Sequence, residues 1–458
     1  MATVIHTRGD RSLGQLVDVE HGRISREVYV NEDIYKQEME QIFMRAWLFV
    51  GHESMVPNPG DFVLSRMGAE EVLLVRDRKA ALHVFLNTCR HRGMKVCRYD
   101  QGNALVFTCP FHAWTYDTDG RLVGMAFAKD AYGPDFDKTP WGLHEVAQIC
   151  NYYGSIWATW DPKAPSFEEY LGPIAPSVRH CFQSSDGEDN GMEVFMPIMK
   201  WNIPTNWKFP AFSFAGDGTH GAMTHLSVNA AAIGPQGARE GGGRSLLRAP
   251  FPKSTHEMVS REYGHGGHMA IYHETGVPPY RDTWDRVPGA DDYFRQTRDK
   301  KAKKYEGQHL PPGGHTGGHF NVFPNVTVNS WRILHWHPVA PGVTESWRIF
   351  QVDKNAPQAV KDGVRHYAMR YCGPMGLTES DDMENWNYAY PASKGTMAQK
   401  LDYPFLQGLG KAVPDERVPG FLTLGTTYAE ENQRNRLRRW LEFMEAGSWD
   451  DIFPVKKT

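Results

Sequence analysis

This chain contains, at residues 89–93 and 108–114, the segments Cys89-Arg90-His91-Arg92-Gly93 and Thr108-Cys109-Pro110-Phe111-His112-Ala113-Trp114. Each segment has a cysteine followed within two or three residues by a histidine, so two loops can each present one thiolate and one imidazole. Soft thiolates suit iron–sulfur chemistry, and two imidazoles in place of two thiolates raise the potential of a [2Fe–2S] cluster. Two such pairs also satisfy tetrahedral zinc, so the spacing alone leaves a zinc ribbon open.

Short β-rich runs surround the first cysteine segment, at residues 62–64, 72–75 and 82–85. They are separated by Gly, Asp and Lys, as in an antiparallel meander. A helix from about residue 32 to residue 47, capped by Asn31, precedes them. A proline-containing segment at 161–165 follows, and it is a plausible domain boundary. We therefore expect a small β domain between these limits.

The chain after residue 165 mixes helical and β patterns. Helical periodicity recurs at 358–371 and 428–444, whereas 326–328 and 346–350 are β-rich. With 458 residues, the chain exceeds the size at which one hydrophobic core stops growing, roughly 250–300 residues. The expected class is therefore α+β with more than one domain.

The bulk composition excludes several kinds of partner. A formal net charge of -4 offers no electrostatic attraction for nucleic acid or an anionic membrane. No apolar stretch approaches the roughly 18 residues of a membrane span, and the first residues lack the apolar core of a signal peptide, so we expect a cytoplasmic protein. Six cysteines are too few for a disulfide scaffold in a chain of this length. A small molecule is the expected partner.

A second group of metal-ligating residue types follows at Asp217, His220 and His225. In a helix, Asp217 and His220 share a face, because three residues turn the chain by roughly 300°. His225 would lie about 140° away from His220, so a common metal requires the helix to distort or end between Gly216 and Gly221. Glycines make such a distortion easy.

An iron held by two imidazoles and one carboxylate on one side keeps positions open for O₂ and substrate. The carboxylate must come from a distant segment, and the best candidates are Asp381 and Asp382 in the acidic run 379–386. A histidine pair is more often structural, and an acidic run is more often a solvated face, so these residues alone leave the metal site open. The segment 265–268, His-Gly-Gly-His, is interpreted as a loop rather than a metal site.

Both constellations, in this order, resemble those of the alpha subunits of Rieske-type aromatic-ring-hydroxylating oxygenases. The spacing of Asp217, His220 and His225 is similar to that of the naphthalene dioxygenase branch, and the resemblance covers about residues 28–443. It favours a [2Fe–2S] cluster over zinc, with Cys89 and Cys109 on one iron. The other iron of the cluster would be bound by His91 and His112.

The resemblance also implies a separate mononuclear Fe(II) with the ligands His220, His225 and Asp382. Asp382 is preferred over Asp381 by its position in the motif. Asp217 would be a bridging carboxylate, hydrogen-bonded to His220 and to the cluster ligand His112 of a neighbouring subunit. A carboxylate in this position orients both imidazoles and provides a short electron route between the metals.

The implied architecture is a small all-β Rieske domain inserted into an α+β catalytic domain whose antiparallel sheet grips a long helix. The expected ranges are 1–46 for an N-terminal helical part, 47–165 for the Rieske domain and 166–458 for the catalytic domain. Members of this branch commonly form α3 or α3β3 oligomers with a small beta subunit. Electrons from NADH would arrive through a separate reductase and ferredoxin, since the chain has no nucleotide fingerprint.

The implied reaction is the cis-dihydroxylation of an aromatic ring with O₂. A Rieske monooxygenase or demethylase stays open as an alternative. An electron-transfer protein that uses only the cluster is a further alternative, but it would need no residues beyond the small β domain.

Seven residues are carried over by position as lining the substrate pocket: Ser213, Phe214, Gly221, His319, Asn321, Cys372 and Thr378. The chain departs from the family at 212–213, where Glu-Asn is usual, and at Ala113, where Gly is usual. Small residues at 221 and 378 predict a roomy pocket, suited to a polycyclic or substituted ring. Alternatively, Arg244, Arg248 or Arg332 could bind the carboxylate of an aromatic acid, although each is also explained as a surface or loop arginine.

Overall fold

The computed structural model of the protein describes residues 5–225, 255–271, 287–308 and 319–452. The chain divides into two compact units, of which Phe43–Phe167 is one and Met1–Ile42 with Glu168–Thr458 is the other. The domain limits expected from the sequence, 47 and 165, stay a prediction. Within the described ranges, no helix has both the length and the apolar character that crossing a membrane requires.

The N-terminal segment belongs to the larger unit. Its elements are α1 (Leu13–Leu16), β1 (Val17–Asp18), β2 (Arg23–Ile24), α2 (Glu27–Val30) and α3 (Glu32–Glu38). The side chain of Asn31 caps α3 as predicted, because its Oδ1 accepts the N–H groups of Asp33 at 2.9 Å and Ile34 at 3.3 Å. The helix continues only as a π-helical turn, Met39–Phe43, and therefore ends earlier than the predicted residue 47.

The smaller unit is built almost entirely from antiparallel strands. They are β3 (Leu48–His52), β4 (Asp61–Met67), β5 (Glu70–Arg76), β6 (Leu82–Leu86), β7 (Gln101–Asn103), β8 (Val106–Thr108), β9 (Thr115–Asp117), β10 (Leu122–Gly124), β11 (Gln148–Tyr152) and β12 (Ser155–Thr159), with the short helix α4 (Ala128–Ala131). They form the sheets β6-β5-β4-β7, β10-β9-β8 and β11-β12-β3. Buried aromatic and aliphatic side chains fill the space around Cys89 and Cys109. The predicted small β domain is confirmed.

The larger unit combines helices with one long sheet. After α5 (Phe167–Leu171) its elements are α6 (Ala175–Cys181), β13 (Met192–Val194), β14 (Met199–Ile203), α7 (Lys208–Gly216), α8 (Gly218–Met223), β15 (Thr255–Ser260), β16 (His265–Ile271), α9 (Ala290–Lys304), β17 (His319–Val322), β18 (Val326–Asn329), β19 (Arg332–Ala340), β20 (Val343–Asp353), α10 (Gln358–Cys372), α11 (Glu379–Ser393), β21 (Tyr403–Pro404), β22 (Val413–Pro414), β23 (Leu422–Leu424), α12 (Glu431–Glu445) and α13 (Trp449–Ile452). Helices α10 and α12 and strands β18 and β20 correspond to the predicted patterns. In contrast, the predicted loop at 265–268 is wrong, since these residues lie in β16.

The long sheet is antiparallel, and its strand order is β13-β20-β19-β18-β17-β16-β15-β23-β22, with β14 also paired to β20. Register places Asn321 opposite Thr327, and Thr327 opposite Leu334, so these side chains share one face. Helices α7 and α12 pack against this face. Eleven of the fifteen residues of α12 are buried, as expected for a helix gripped by a sheet.

A buried ion pair joins three helices of the larger unit. Lys208 Nζ of α7 lies 2.5 Å from Glu38 Oε1 of α3, and both side chains are 0% exposed. The indole N–H groups of Trp207 and Trp440 donate to the same carboxylate at 2.8 and 2.7 Å. Because every partner is satisfied, the pair is stable in the interior, and removing one charge typically costs about 3–5 kcal/mol. This contact fixes the start of α7, the helix that leads into the second constellation.

Candidate functional site

The two cysteine loops of the smaller unit follow the same backbone path. The N–H of Cys89 donates to the carbonyl of Met94 at 2.8 Å, and the N–H of Cys109 donates to the carbonyl of Trp114 at 2.8 Å. The fourth residue after each cysteine has a positive φ, +73° at Gly93 and +58° at Ala113. Each loop is therefore a tight turn that holds its cysteine and histidine on the same side.

The turns bring the four predicted cluster residues together. The thiols of Cys89 and Cys109 are buried, and burial together with the nearby Cys89 thiol raises the pKa of the Cys109 thiol. The ring centroids of His91 and His112 lie 4.5 Å apart. The ring of His91 stacks on Trp114 at 5.0 Å, and its buried Nδ1 atom has no hydrogen-bond partner among the described residues.

This donor set fits a Rieske cluster. Two sulfur and two nitrogen donors are the protein ligands that such a [2Fe–2S] centre takes. The buried Nδ1 of His91 would gain a bond on ligation, which removes the cost of leaving a polar atom unsatisfied. A hydrogen bond of 3.2 Å between the Tyr116 hydroxyl and Cys89 Sγ further fixes the position of that thiol.

The second constellation is built on a break between two helices. Helix α7 ends at Gly216, and Asp217 has φ −121° and ψ 66°, outside the helical region. Its side chain then caps α8 by accepting the N–H of His220 at 3.3 Å. A Cβ atom on Gly218 would lie 2.2 Å from the carbonyl oxygen of Thr427, so a glycine is required there. A break thus occurs within the predicted interval, whereas α8, the helix that carries His220, ends only at Met223, beyond it.

His220, His225 and Asp382 converge, because α8 ends at Met223 and leaves His225 outside the helix that carries His220. One ligand atom from each lies within 4.8 Å of those of the other two. The Nε2 atoms of both histidines face the same oxygen, Asp382 Oδ1, at 3.4 Å each. Asp382 itself lies in the first turn of α11 and is buried. Two imidazoles and one carboxylate around one point are a facial ligand set for Fe(II).

The outer nitrogens of the two histidines meet different acidic residues. The Nδ1 of His220 contacts the backbone carbonyl of Asp217 and lies 3.5 Å from its carboxylate. The Nδ1 of His225 lies 3.4 Å from Asp381 Oδ2. Carboxylates in this position orient metal-ligating imidazoles. Asp381 and Asp382 are thereby distinguished: one faces the outer side of a ligand ring, and the other faces the common centre.

Electrostatics at the centre suit a cation. Burial raises the pKa of Asp382 to about 7 despite the nearby His220. Burial disfavours a charged His220 ring, but the hydrogen bond that the ring donates to Asp217 and the charge of Asp382 outweigh it and raise the pKa of His220 to about 9. An adjacent positive charge lowers the pKa of such a buried carboxylate and favours its ionised form. A divalent metal would supply that charge, so the residues present fit an iron.

The predicted pocket residues on α7 lie beside aromatic rings. The hydroxyl of Ser213 accepts the indole N–H of Trp386 at 3.2 Å. The ring of Phe214 lies 5.1 Å from that of Trp336 and 6.0 Å from that of Trp386. These contacts give an apolar wall near the convergent ligands.

His319 and Asn321 hold the end of α7. The Nε2 of His319 lies 2.7 Å from the carbonyl oxygen of Phe214, and the amide of Asn321 donates to the carbonyl of Ala215 at 3.1 Å. They satisfy carbonyls in the last turn of the helix, which have no partner within it. Sequence reasoning assigned both residues to the pocket and missed this capping contact, because it depends on strand register.

The remaining pocket candidates are placed as follows. Cys372 is buried at the end of α10, and Thr378 precedes α11 with its hydroxyl donating to the carbonyl of Tyr371 at 2.9 Å. A Cβ atom at Gly221 would meet no described atom within 4 Å, and the roomy pocket stays a prediction. Arg244 and Arg248 lie outside the described residues.

A buried pair next to this centre had no signal in the sequence. Glu257 Oε1 of β15 lies 3.1 Å from His268 Nδ1 of β16, and both side chains are buried. The ring of His268 is 5.2 Å from that of His319. Pairing of two strands creates this contact, and an acidic residue eleven positions from the histidine could not have been singled out.

A cavity of about 590 Å³ also occurs in the larger unit. Its walls include Phe195, Ile198, Phe350 and Met369, and none of the predicted pocket residues lines it.

Comparison with known proteins identifies the family. The model of the Rieske [2Fe-2S] domain matches residues 46–132, and that of the ring hydroxylating alpha subunit (catalytic domain) matches residues 186–390. The biphenyl dioxygenase subunit alpha of Metapseudomonas furukawaii is 34% identical, over 96% of this chain and 94% of the relative. The chain belongs to the Rieske-type ring-hydroxylating dioxygenase alpha subunits. Proteins of this family carry a Rieske [2Fe–2S] cluster and a mononuclear iron, for which the two donor sets provide the residues.

Other relatives and solved structures indicate the same family for this alpha subunit. The large oxygenase component of the naphthalene 1,2-dioxygenase system of Pseudomonas aeruginosa is 30% identical, over 94% of this chain and 93% of the relative. A structure of naphthalene 1,2-dioxygenase with indole in the active site superimposes with a TM-score of 0.82 at 28% identity, covering 97% of each chain. A quaternary ammonium Rieske monooxygenase in complex with L-carnitine shares the fold with a TM-score of 0.63 at 15% identity. The predicted family and fold class are confirmed.

Proposed function

We propose that this alpha subunit is the terminal oxygenase component that adds both atoms of O₂ to one face of an aromatic ring, giving a cis-dihydrodiol. The observation that carries the proposal is the convergence of His220, His225 and Asp382, with ligand atoms within 4.8 Å of one another. Such a set leaves one side of a metal open for O₂ and substrate. The relatives named biphenyl and naphthalene dioxygenases support the same reaction type.

Each site residue has a proposed role. Cys89, His91, Cys109 and His112 hold the cluster, and His220, His225 and Asp382 hold the mononuclear iron. When bound, these centres supply electron delivery and the activation of O₂. Asp217 orients the ring of His220, and Asp381 orients that of His225, since each lies at the outer nitrogen.

The aromatic residues at the centre exclude water and position a ring. The ring centroid of Phe214 lies 5.1 Å from that of Trp336 and 6.0 Å from that of Trp386. An apolar pocket with few polar groups holds an aromatic substrate by burial, and a fixed orientation determines which ring edge reacts. We extend the pocket to Ser213, Gly221, His319, Asn321, Cys372 and Thr378.

The reaction needs partners. Conversion of one aromatic double bond into a cis-diol consumes one O₂, two electrons and two protons, and we propose that NADH supplies the electrons through a reductase and a ferredoxin. We further propose a cytoplasmic α3 or α3β3 oligomer, in which Asp217 connects His220 to His112 of the neighbouring subunit. Membership in the family supports these assignments, and we also propose domain limits at 47 and 165.

Labelled oxygen tests the proposal. The holoenzyme, supplied with electron-transfer partners and a panel of aromatic compounds, is expected to give cis-diols that carry two ¹⁸O atoms from ¹⁸O₂. One labelled atom per product would instead indicate a monooxygenase or demethylase. A chain that binds the cluster but no mononuclear iron would be an electron carrier, which metal and labile-sulfide analysis with EPR would reveal.

A further inference from the structure

Arg332 lies at the start of a strand in the long sheet of the larger unit. It is the first residue of β19, opposite Asn329 of β18 and Phe350 of β20. Side chains alternate between the faces of a strand, so Arg332 shares its face with Trp336, whose ring contacts Phe214. The guanidinium therefore lies on the side of the sheet that carries the candidate active site.

The guanidinium is only partly satisfied. Its Nη1 donates to Cys372 Sγ at 3.1 Å, and Cys372 is one of the predicted pocket residues. Its Cζ atom lies 4.8 Å from the centroid of the Trp331 ring. The Nε atom is buried and has no hydrogen-bond partner in the ranges that the structure describes. Cys372 is a weak partner, because burial raises the pKa of its thiol to about 11 and keeps it neutral.

Glu379, whose charge acts on Arg332, already pairs with another arginine. Glu379 forms a two-pronged ion pair with Arg348, with distances of 2.9 and 2.5 Å. Arg348 also donates to the hydroxyl of Ser346 at 2.8 Å. Among the described residues Arg332 has no ion pair of its own. The charge of Glu379 acts on Arg332 through space but forms no ion pair with it, so an external anion that bonds directly to the desolvated guanidinium would be stabilised here.

A short chain of contacts connects Arg332 with the metal ligands. The carbonyl of Tyr371, the residue before Cys372, accepts both the N–H of Thr378 at 3.2 Å and its hydroxyl at 2.9 Å. The carbonyl of Thr378 in turn accepts the N–H of Asp382 at 3.2 Å. The end of α10 and the first turn of α11 are thus adjacent, and one helical turn, roughly 5.4 Å, separates Thr378 from Asp382.

Aromatic rings flank the same guanidinium. Trp331 packs against Phe350 at 5.9 Å and against Tyr367 at 5.6 Å, and Tyr367 stacks on Tyr371 at 5.3 Å. A planar cation against the face of Trp331, in a cluster of aromatic rings and next to Cys372, is a site for a planar anion with an aromatic body.

We propose that Arg332 is a specificity-determining residue that binds the carboxylate of an aromatic acid substrate. The inference rests on the proposed function and narrows it, because a pure hydrocarbon offers nothing that a guanidinium can bind. The acid group lies toward Cys372 and Trp331, and the ring extends toward Phe214 and the metal ligands. Arg332 touches the substrate, whereas the reacting carbons lie at the other end.

Matched acids and amides test this inference. The holoenzyme is titrated calorimetrically with benzoate, 2-naphthoate and biphenyl-4-carboxylate, and with the three corresponding carboxamides, which have the same shape without the charge. For at least one pair, the acid is expected to bind about 10- to 100-fold more tightly than the amide, the range of a charge-assisted hydrogen-bonded pair. The same complexes are then assayed for oxidised product.

Three variants make the test specific. Arg332→Gln is expected to abolish the preference for the acid and to leave amide binding nearly unchanged. Arg332→Lys keeps the charge but not the two-pronged geometry, so it should retain part of the preference for the acid. This variant also provides a test if Arg332→Gln does not fold. Arg365→Gln removes an exposed arginine of the same unit and should keep the full preference.

The outcomes separate this inference from the proposed function. Equal affinities for acid and amide in all three pairs would overturn the inference, as would an acid preference that persists in folded Arg332→Gln or disappears in Arg365→Gln. Dihydroxylation of the amides without acid preference leaves the proposed function standing. Tight acid binding without any oxidised product from iron-loaded enzyme would instead refute the proposed function while the binding role of Arg332 holds.

Discussion

Asp381 and Asp382 are consecutive residues whose carboxylates contact different atoms of the candidate metal site. Asp382 faces the Nε2 atoms of both histidines at 3.4 Å, whereas Asp381 faces the outer Nδ1 of His225. Helical geometry explains the difference, because neighbouring residues on a helix point about 100° apart. Only one of the two can reach the common centre.

We predict that Asp382→Ala loses the mononuclear iron, so that iron falls from about three to about two atoms per chain, while labile sulfide is unchanged. Asp381→Ala should still bind that iron, with an affinity reduced by about 10- to 100-fold, as for other residues that orient a ligand. Metal and sulfide analysis after anaerobic reconstitution checks both. Loss of iron in Asp381→Ala alone would reverse the assignment.

Ala113 is strained at the residue scale. It has φ +58°, and the equivalent position of the other cysteine loop is Gly93, with φ +73°. An L-residue in this region is unfavourable by roughly 1–2 kcal/mol, and glycine is not. The family usually has glycine at this place, so the chain carries a strained turn beside its cluster.

Ala113→Gly is therefore expected to stabilise the smaller unit by up to about 1 kcal/mol, since relief of strain exceeds the added chain entropy of roughly 0.4–1 kcal/mol. The measurement is the temperature at which the visible absorbance of the cluster disappears. Gly93→Ala is the matched control and should lower that temperature, because no atom lies within 4 Å of the added methyl group and only backbone strain changes. A lower temperature for Ala113→Gly, or a higher one for Gly93→Ala, would contradict the explanation.

At the scale of secondary-structure elements, the end of α7 positions the metal ligands. Strand β17 holds that end through His319 and Asn321, which bond to the carbonyls of Phe214 and Ala215. The amide oxygen of Asn321 also accepts the hydroxyl of Thr327 at 2.6 Å. The helix break at Asp217 therefore has a fixed position relative to the sheet.

Asn321→Ala should loosen this break, because two buried partners lose a hydrogen bond, at about 1–3 kcal/mol for an unsatisfied group. We expect a chelator to remove the mononuclear iron several-fold faster from this variant, with cluster content unchanged. Asn325→Ala is the control, since Asn325 is equally buried but bonds to the carbonyl of Trp336 instead of α7. Equal rates for both variants would mean that Asn321 does not support the metal site.

At the scale of the whole molecule, the proposed electron route crosses between protomers of a cyclic trimer. Such a route predicts that two inactive variants, each lacking a different metal centre, can form active sites together. A His112→Ala chain retains its iron site, and an Asp382→Ala chain retains its cluster. Neither is expected to oxidise substrate alone.

Co-expression of these two variants should restore activity. If each cluster serves the next protomer, random trimers place an intact cluster beside an intact iron at about one quarter of sites, the product of two probabilities of one half around a closed ring. The checking measurement is product formation per total protein, relative to wild type. An inactive mixture of correctly assembled oligomers would indicate that electrons stay within one chain.

Much of the site could be predicted from the sequence, because ligand chemistry and local periodicity are local properties. The types and spacing of Cys89, His91, Cys109 and His112 indicated a metal centre, and the resemblance to the family favoured an iron–sulfur cluster over zinc. The angle between His220 and His225 predicted a distorted or ended helix for a common metal; a break occurs at Asp217, and α8 then ends at Met223, before His225. Asn31, as a helix-capping residue, likewise predicted the start of α3.

Tertiary structure decided what depends on distant pairing. The register of β15, β16 and β17 brings Glu257 to His268 and makes a strand of residues that the sequence suggested as a loop. It also turns His319 and Asn321 into caps for α7, and it leaves Arg332 beside Cys372 without a carboxylate partner in the described ranges. The residues of these contacts lie from 11 to 106 positions apart, so no local pattern encodes them. The sequence by itself thus determined the chemistry of the ligands, and only the folded sheet decided which side chains orient, cap and select around them.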